Sequence, residues 1–175
     1  MSGRSMSEFK YKRIIIIGNG GAGKSTLARA LGDRLGLPVV HLDKLWWLPD
    51  WVTRSQAEFD ALLAAELEKP EWIIDGNYIR TLALRLSFAD LCVFLDYPPE
   101  LCLESAYARV RTYEGKTRPD MTDGCTERVD AEFEAWIKSF DKNVRPQIFE
   151  ISARSGVRCV TFCSREQAAA WLAQI

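Results

Sequence analysis

Apolar residues follow two alternating rhythms along this chain. Short continuous runs recur at 12–17 (KRIIII), 39–42, 72–75 (WIID), 91–95 (LCVFL) and 158–162. Runs rich in β-branched and aromatic residues suit strands buried on both faces. Between them, apolar residues recur every three or four positions, as on one face of a helix. That spacing predicts helices over 25–35 (Leu27, Leu31, Leu35), 56–68 (Phe59, Leu62, Leu63, Leu67) and 130–140 (Phe133, Trp136, Ile137, Phe140). Further helices are predicted over 79–86, 99–111, 146–155 and from 165 to the end, the last carrying Trp171, Leu172 and Ile175.

Punctuation residues agree with these limits. Gly36 and Pro38 end the first helix, and Pro70 stops the second. Ser55–Glu58 and Ser164–Gln167 read as capping boxes, and Pro99 suits a first helical turn. Two stretches lack periodicity. One is the aromatic-rich loop with Trp46, Trp47 and Trp51; the other, 112–124, is polar, rich in turn formers and expected to be mobile.

Strand and helix alternate throughout. The prediction is an α/β fold with a doubly wound, parallel five-stranded sheet and helices on both faces, ligands lying at the carboxyl ends of the strands. The 175 residues suffice for one domain. Residues 1–10 are expected to form a disordered extension and 11–175 the domain, with 43–70 an acceptor-side helical segment and 109–125 a lid.

Composition narrows the function classes. A net charge of −1 gives no global basic field for nucleic acid or anionic membrane, leaving only a local patch open. No apolar run reaches membrane-spanning length, and no secretory signal opens the sequence. Five cysteines without metal-type spacing fit a reducing, cytoplasmic setting. Cys92 and Cys159, in apolar runs, read as small buried hydrophobes.

The chemistry gathers at the strand ends. After the first strand, Gly18-Asn19-Gly20-Gly21-Ala22-Gly23-Lys24-Ser25 matches G-x-x-x-x-G-K-[ST] in full, with Thr26 following. Such a loop turns successive N–H groups inward around phosphates, with the helix dipole behind them. Lys24 is expected on the β- and γ-phosphates of ATP, and the Ser25 hydroxyl on Mg²⁺. Asp43, Asp75 and Asp96 close the next three strands. Asp75 is the expected metal partner and Asp96 its rival, better suited to a turn or cap. Asp43 could orient an acceptor hydroxyl or simply cap a helix. His41, the one histidine, reads as packed within a strand end, and the three tryptophans as packing or as a stacking surface for a planar acceptor.

Cations complete the pattern. Arg109, Arg111, Lys116 and Arg118 flank or occupy 112–124. Arginines closing from such a segment stabilise charge that spreads over a transferring phosphoryl group. Arg109 and Arg118 are taken as catalytic and Arg111 and Arg165 as nucleotide-binding, a surface role being equally open for Arg165 and for Arg145. Arg80 could grip an acceptor phosphate or carboxylate.

GNGGAGKST, HLDKLWW, WIIDGNYIRT, VFLDYP, GKTRPDMTDGC and the Trp136–Pro146 stretch together resemble the adenylate-kinase-like P-loop proteins named DNA topology modulation (FlaR-like) proteins. The resemblance runs from Arg13 onward. It implies a P-loop NTPase fold of the nucleoside monophosphate kinase type with a lid, and an ATP-binding phosphotransferase. It places the third strand beside the first. DGNYIRT resembles the DGFPRT segment of adenylate kinases, which carries over Asp75 and Arg80. Asn77-Tyr78 replaces the Phe-Pro pair, so the acceptor does not carry over. The lid lacks zinc-ligand cysteines, so no structural metal is expected there.

The leading expectation is a kinase moving the γ-phosphate of Mg-ATP to a nucleotide or other small-molecule acceptor. The alternative is a nucleotide-dependent regulatory ATPase acting on or near DNA. No N-K-x-D guanine-reading motif is present, which argues against a GTPase.

Overall fold

The computed structural model describes residues 9–175. Most of the expected extension lies outside the described residues; Phe9 packs edge-on against Tyr11 and Trp171. The chain runs β1 (Arg13–Gly18), α1 (Lys24–Leu35), β2 (Val39–His41), α2 (Leu42–Trp46), β3 (Trp47–Leu48), a 3₁₀ turn (Pro49–Trp51), β4 (Val52–Thr53), α3 (Gln56–Leu67) and β5 (Trp72–Asp75). It continues through α4 (Ile79–Phe88), β6 (Leu91–Leu95), α5 (Pro99–Thr112), α6 (Ala131–Asn143), α7 (Arg145–Ser155), β7 (Cys159–Phe162) and α8 (Arg165–Ala173).

Five strands form one parallel sheet in the order β2-β5-β1-β6-β7. The fold is therefore the doubly wound α/β architecture that the alternation predicts. Side chains on a strand alternate between faces, and the four isoleucines of β1 divide accordingly. Ile14 and Ile16 pack with Leu27 and Leu31 of α1 and Ala106 of α5. Ile15 and Ile17 pack with Phe59 and Leu63 of α3 and Leu82 and Leu86 of α4. All four are fully buried, which explains the uninterrupted run.

Three local readings change. The aromatic-rich loop is a short helix, α2, followed by a two-residue antiparallel pair in which Trp47 faces Thr53 and Leu48 faces Val52. Leu42 turns inward at the start of α2 rather than extending β2. Cys92 is buried, but Cys159, its neighbour across the β6–β7 pair, is exposed because β7 is the sheet edge.

The pairing places the strand ends. β1 is flanked by β5 and β6, with Ile16 opposite Asp75 and Gly18 opposite Leu95. Asp75 thus stands beside the loop after β1, on the rim where parallel sheets bind ligands.

Candidate active site

The loop after β1 curls because its glycines permit it. Gly21 has φ +78, and a Cβ there would lie 2.1 Å from the Cys102 carbonyl oxygen. Gly23, at φ +91, precedes α1 and offers no side-chain cap. The first intrahelical bond runs from Leu27 N–H to the Gly23 carbonyl at 2.9 Å. The amides of Lys24, Ser25 and Thr26 are thus left to an external acceptor, at the positive end of the helix dipole.

The loop is held on both sides. Asn19 is buried; its amide donates to the Ile137 carbonyl of α6 at 2.9 Å and its Oδ1 accepts the Gly20 N–H at 2.7 Å. Asn77, after β5, accepts the Gly18 N–H at 3.0 Å and donates to the Gly18 carbonyl at 2.6 Å. Lys24 Nζ donates to the Asn19 carbonyl at 2.8 Å. Burial lowers the pKa of this ammonium, while Asp43 and Asp75 oppose the shift.

Asp75 is buried and lies against His41, whose Nδ1 is 3.0 Å from both carboxylate oxygens. The β2–β5 pairing sets these residues side by side. Asp43 sits in the first turn of α2 and accepts a 2.7 Å hydrogen bond from the Tyr78 hydroxyl. Burial raises the Asp43 carboxyl above its usual range, outweighing the Tyr78 bond. Burial, with the Asp43 charge, likewise pushes the Tyr78 phenol upward. Gly20 to Thr26, Asp43, Asp75, Tyr78, Trp46, Trp47, Trp51, Arg109, Arg118 and Arg165 all line one cleft of about 1020 Å³.

No protein-family model matches the chain. An uncharacterized protein of Bacillus subtilis (strain 168), YqaC, is 31% identical over 134 residues, covering 74% of this chain and 73% of YqaC. The chain belongs to the YqaC family. Its fold is also that of known kinases. A shikimate kinase from Acinetobacter baumannii, solved with shikimate, superposes with a TM-score of 0.62 at 20% identity, covering 97% of this chain and 95% of that one. A gluconokinase from Sinorhizobium meliloti gives 0.50 at 18% identity, covering 93% and 88%. The fold of this YqaC-family chain is thus P-loop kinase-like.

The 113–130 segment is tied down at several points, although Glu114, Gly115 and Lys116 are exposed. Arg118, Asp120, Met121 and Cys125 are buried. Arg109 pairs with Glu127 at 2.7 Å, Arg118 pairs with Asp120 at 2.9 Å and with Glu127, and Arg29 reaches Asp120 at 3.0 Å. Thr122 donates to the Trp47 carbonyl at 2.7 Å, and Cys125 to that of Leu48 at 3.2 Å.

Two arginine expectations are revised. Arg80 points away from the cleft and pairs with Asp60 at 2.5 Å, both side chains about half exposed. Arg111 is exposed and Lys116 likewise; Arg111 does not line the cleft. Arg165 does line it and donates to the Ser105 hydroxyl. Asp96 stands outside, both oxygens held by Arg145 at 2.7–3.0 Å.

Sequence reasoning missed Arg85. Its guanidinium is fully buried and donates to the carbonyls of Gly76 at 3.0 Å, Asn77 and Tyr78 at 3.3 Å, and to the Thr81 hydroxyl at 3.2 Å. Burial brings its pKa down to about 10. It thereby fixes the loop carrying Asn77 and Tyr78. The available signal was a cation on the apolar face shared with Leu82 and Leu86.

Proposed function

We propose that this chain is a P-loop phosphotransferase that moves the γ-phosphoryl group of Mg-ATP to a hydroxyl of a small-molecule acceptor. One observation carries the reading: an uncapped, glycine-shaped anion cradle and a half-buried carboxylate, Asp43, line the same cleft as Lys24. The kinase-like fold supports it, as does the kinship of that fold with an enzyme bound to shikimate.

The roles follow from the chemistry of each group. The amides at the start of α1 hold phosphate oxygens, and Lys24 neutralises the β- and γ-phosphates. Ser25 and Asp75 would hold the magnesium, which offsets phosphate charge; His41 keeps Asp75 oriented. Asp43, its carboxyl made more basic by burial, takes the acceptor's hydroxyl proton. The acceptor oxygen then bonds to the γ-phosphorus as the bond to the β-phosphate oxygen breaks. Arg109 and Arg118 stabilise the charge spread over the equatorial oxygens, and Arg165 serves the nucleotide side. The 109–125 stretch acts as the lid and 43–70 as the acceptor side. The motif likeness to FlaR-like proteins and the five free cysteines, which suit a reducing cytoplasm, sit comfortably with this reading. No described helix is long and apolar enough to cross a membrane.

The test is turnover of labelled ATP with Mg²⁺ against a panel of hydroxyl compounds. Lys24→Ala should reduce transfer by about 10³-fold with the fold intact, judged by circular dichroism. Unchanged transfer in that variant removes the site from consideration.

A further inference from the structure

The acceptor end of the cleft has a chemical character that narrows its ligand. Its wall is aromatic, with successive rings meeting edge to face. Trp47 lies 5.2 Å from Trp51 and 6.5 Å from Trp46, and Trp46 lies 6.3 Å from Tyr78, all ring to ring. Tyr78 in turn holds Asp43 through its hydroxyl. The wall is fixed in advance of any ligand. Asp50 and Trp51 adopt left-handed backbone conformations at φ 61 and 60, and Trp47 and Leu48 are anchored through their carbonyls to Thr122 and Cys125. Non-glycine residues held in that region persist only when their surroundings enforce it, and they concentrate at ligand sites.

The arginines at this end are already engaged. Arg118 shares Asp120 with Arg29 and Glu127 with Arg109, and Arg128 pairs with Asp130 at 3.5 Å, its guanidinium 5.1 Å above the Trp51 ring. Arg80, the cation expected to receive an acceptor anion, is outside the cleft on Asp60. Binding a phosphate or carboxylate beside Asp43 would therefore set like charges together, while Arg109 and Arg118 are engaged with Asp120 and Glu127 and serve the transferring phosphoryl group. What the wall does offer is polar and neutral. Asp43 keeps hydrogen-bond acceptor capacity beyond the one bond from Tyr78. Trp51, which lines the cleft, buries its indole Nε1 without a hydrogen-bond partner among the described residues. A buried donor in that state costs free energy that a hydrogen bond from it would recover.

Resting on the phosphotransferase reading, we infer that the acceptor is an uncharged ring compound bearing free hydroxyls, packed against the Trp46–Trp47–Trp51 wall with one hydroxyl on Asp43. Sugars and nucleosides share that chemistry; their phosphorylated or carboxylated counterparts do not.

The experiment uses the full chain, Mg²⁺ and a non-hydrolysable ATP analogue, with matched pairs of acceptors. One arm sets nucleosides against their 5′-monophosphates; the other sets neutral hexoses against hexose phosphates and aldonates. Tryptophan fluorescence reads acceptor binding, calorimetry reads the ATP analogue, and labelled ATP reads transfer. The neutral member of a pair should bind at least about tenfold more tightly and be the one phosphorylated, and the responding arm identifies the source. Trp47→Leu should weaken that binding about tenfold while leaving affinity for the ATP analogue unchanged, a split that general misfolding would not produce. Asp43→Asn should abolish transfer yet narrow the preference for the neutral member. Equal or tighter binding of the charged members, or no saturable fluorescence change with any neutral member, overturns the inference while leaving ATP binding intact. Absence of ATP binding overturns the phosphotransferase reading itself, and this inference with it.

Discussion

Asp43 carries opposing demands from stability and chemistry. Its carboxyl sits in a buried site that favours the protonated form. A carboxyl whose pKa is raised on folding contributes its full stability below its ordinary value of 3.8 and loses it as pH rises through the folded value. Asparagine does not titrate and keeps an oxygen for the Tyr78 hydroxyl. Asp43→Asn should therefore raise the melting temperature near neutral pH, with the gain fading below about pH 4, while transfer activity is lost. A lower melting temperature near neutrality would contradict the burial argument. The same basis predicts an acid limb of the pH–rate profile in wild type that lies above the ordinary Asp range. Arg80 gives the opposite case: Arg80→Ala should change kcat/KM by less than about twofold, since its partner Asp60 lies on an exposed face.

At the scale of elements, α4 shows where sequence reading succeeds and where it stops. Its start at Ile79 was legible, and its end, Phe88, lies two residues beyond the predicted 86. Which arginine mattered was not. Arg80 attracted attention through the likeness of its segment to a known motif, but the helical turn sends it to the outer face. Arg85, five positions on, shares the inner face and locks Gly76, Asn77 and Tyr78 through their carbonyls. Arg85→Leu would leave those carbonyls unmatched, at a cost of about 3 kcal/mol. Chemical denaturation checks this, and an unchanged midpoint would refute it. The α2 helix and the β3–β4 pair were illegible for another reason. Two-residue strands leave no detectable alternation, and Trp46, Trp47 and Trp51 follow neither the helical nor the strand period. The turn of the glycine loop, by contrast, was readable from its motif, although Gly18 and Asn19, expected on the nucleotide, do not line the cleft. Gly21→Ala should disable it, because the new methyl would collide with the Cys102 carbonyl.

Across the whole molecule, sheet order turns separate motifs into one cleft. The alternation of strands and helices was enough to predict parallel strands with ligands at their carboxyl ends. It did not show that 113–130 would fold onto the aromatic pair, because that docking depends on Thr122, Cys125 and buried ion pairs far apart in sequence. With β1 between β5 and β6, the glycine loop, Asp75 and the Asn77–Tyr78 loop converge, and α2 brings Asp43 to face them. The most direct trial of this convergence needs no knowledge of the acceptor: calorimetric titration of ATP with Mg²⁺ into the wild-type chain and into Lys24→Ala. A saturable one-to-one heat in the wild type, weakened at least about 100-fold in the variant, is the expected result. No heat in the wild type, or equal affinity in both, would contradict it.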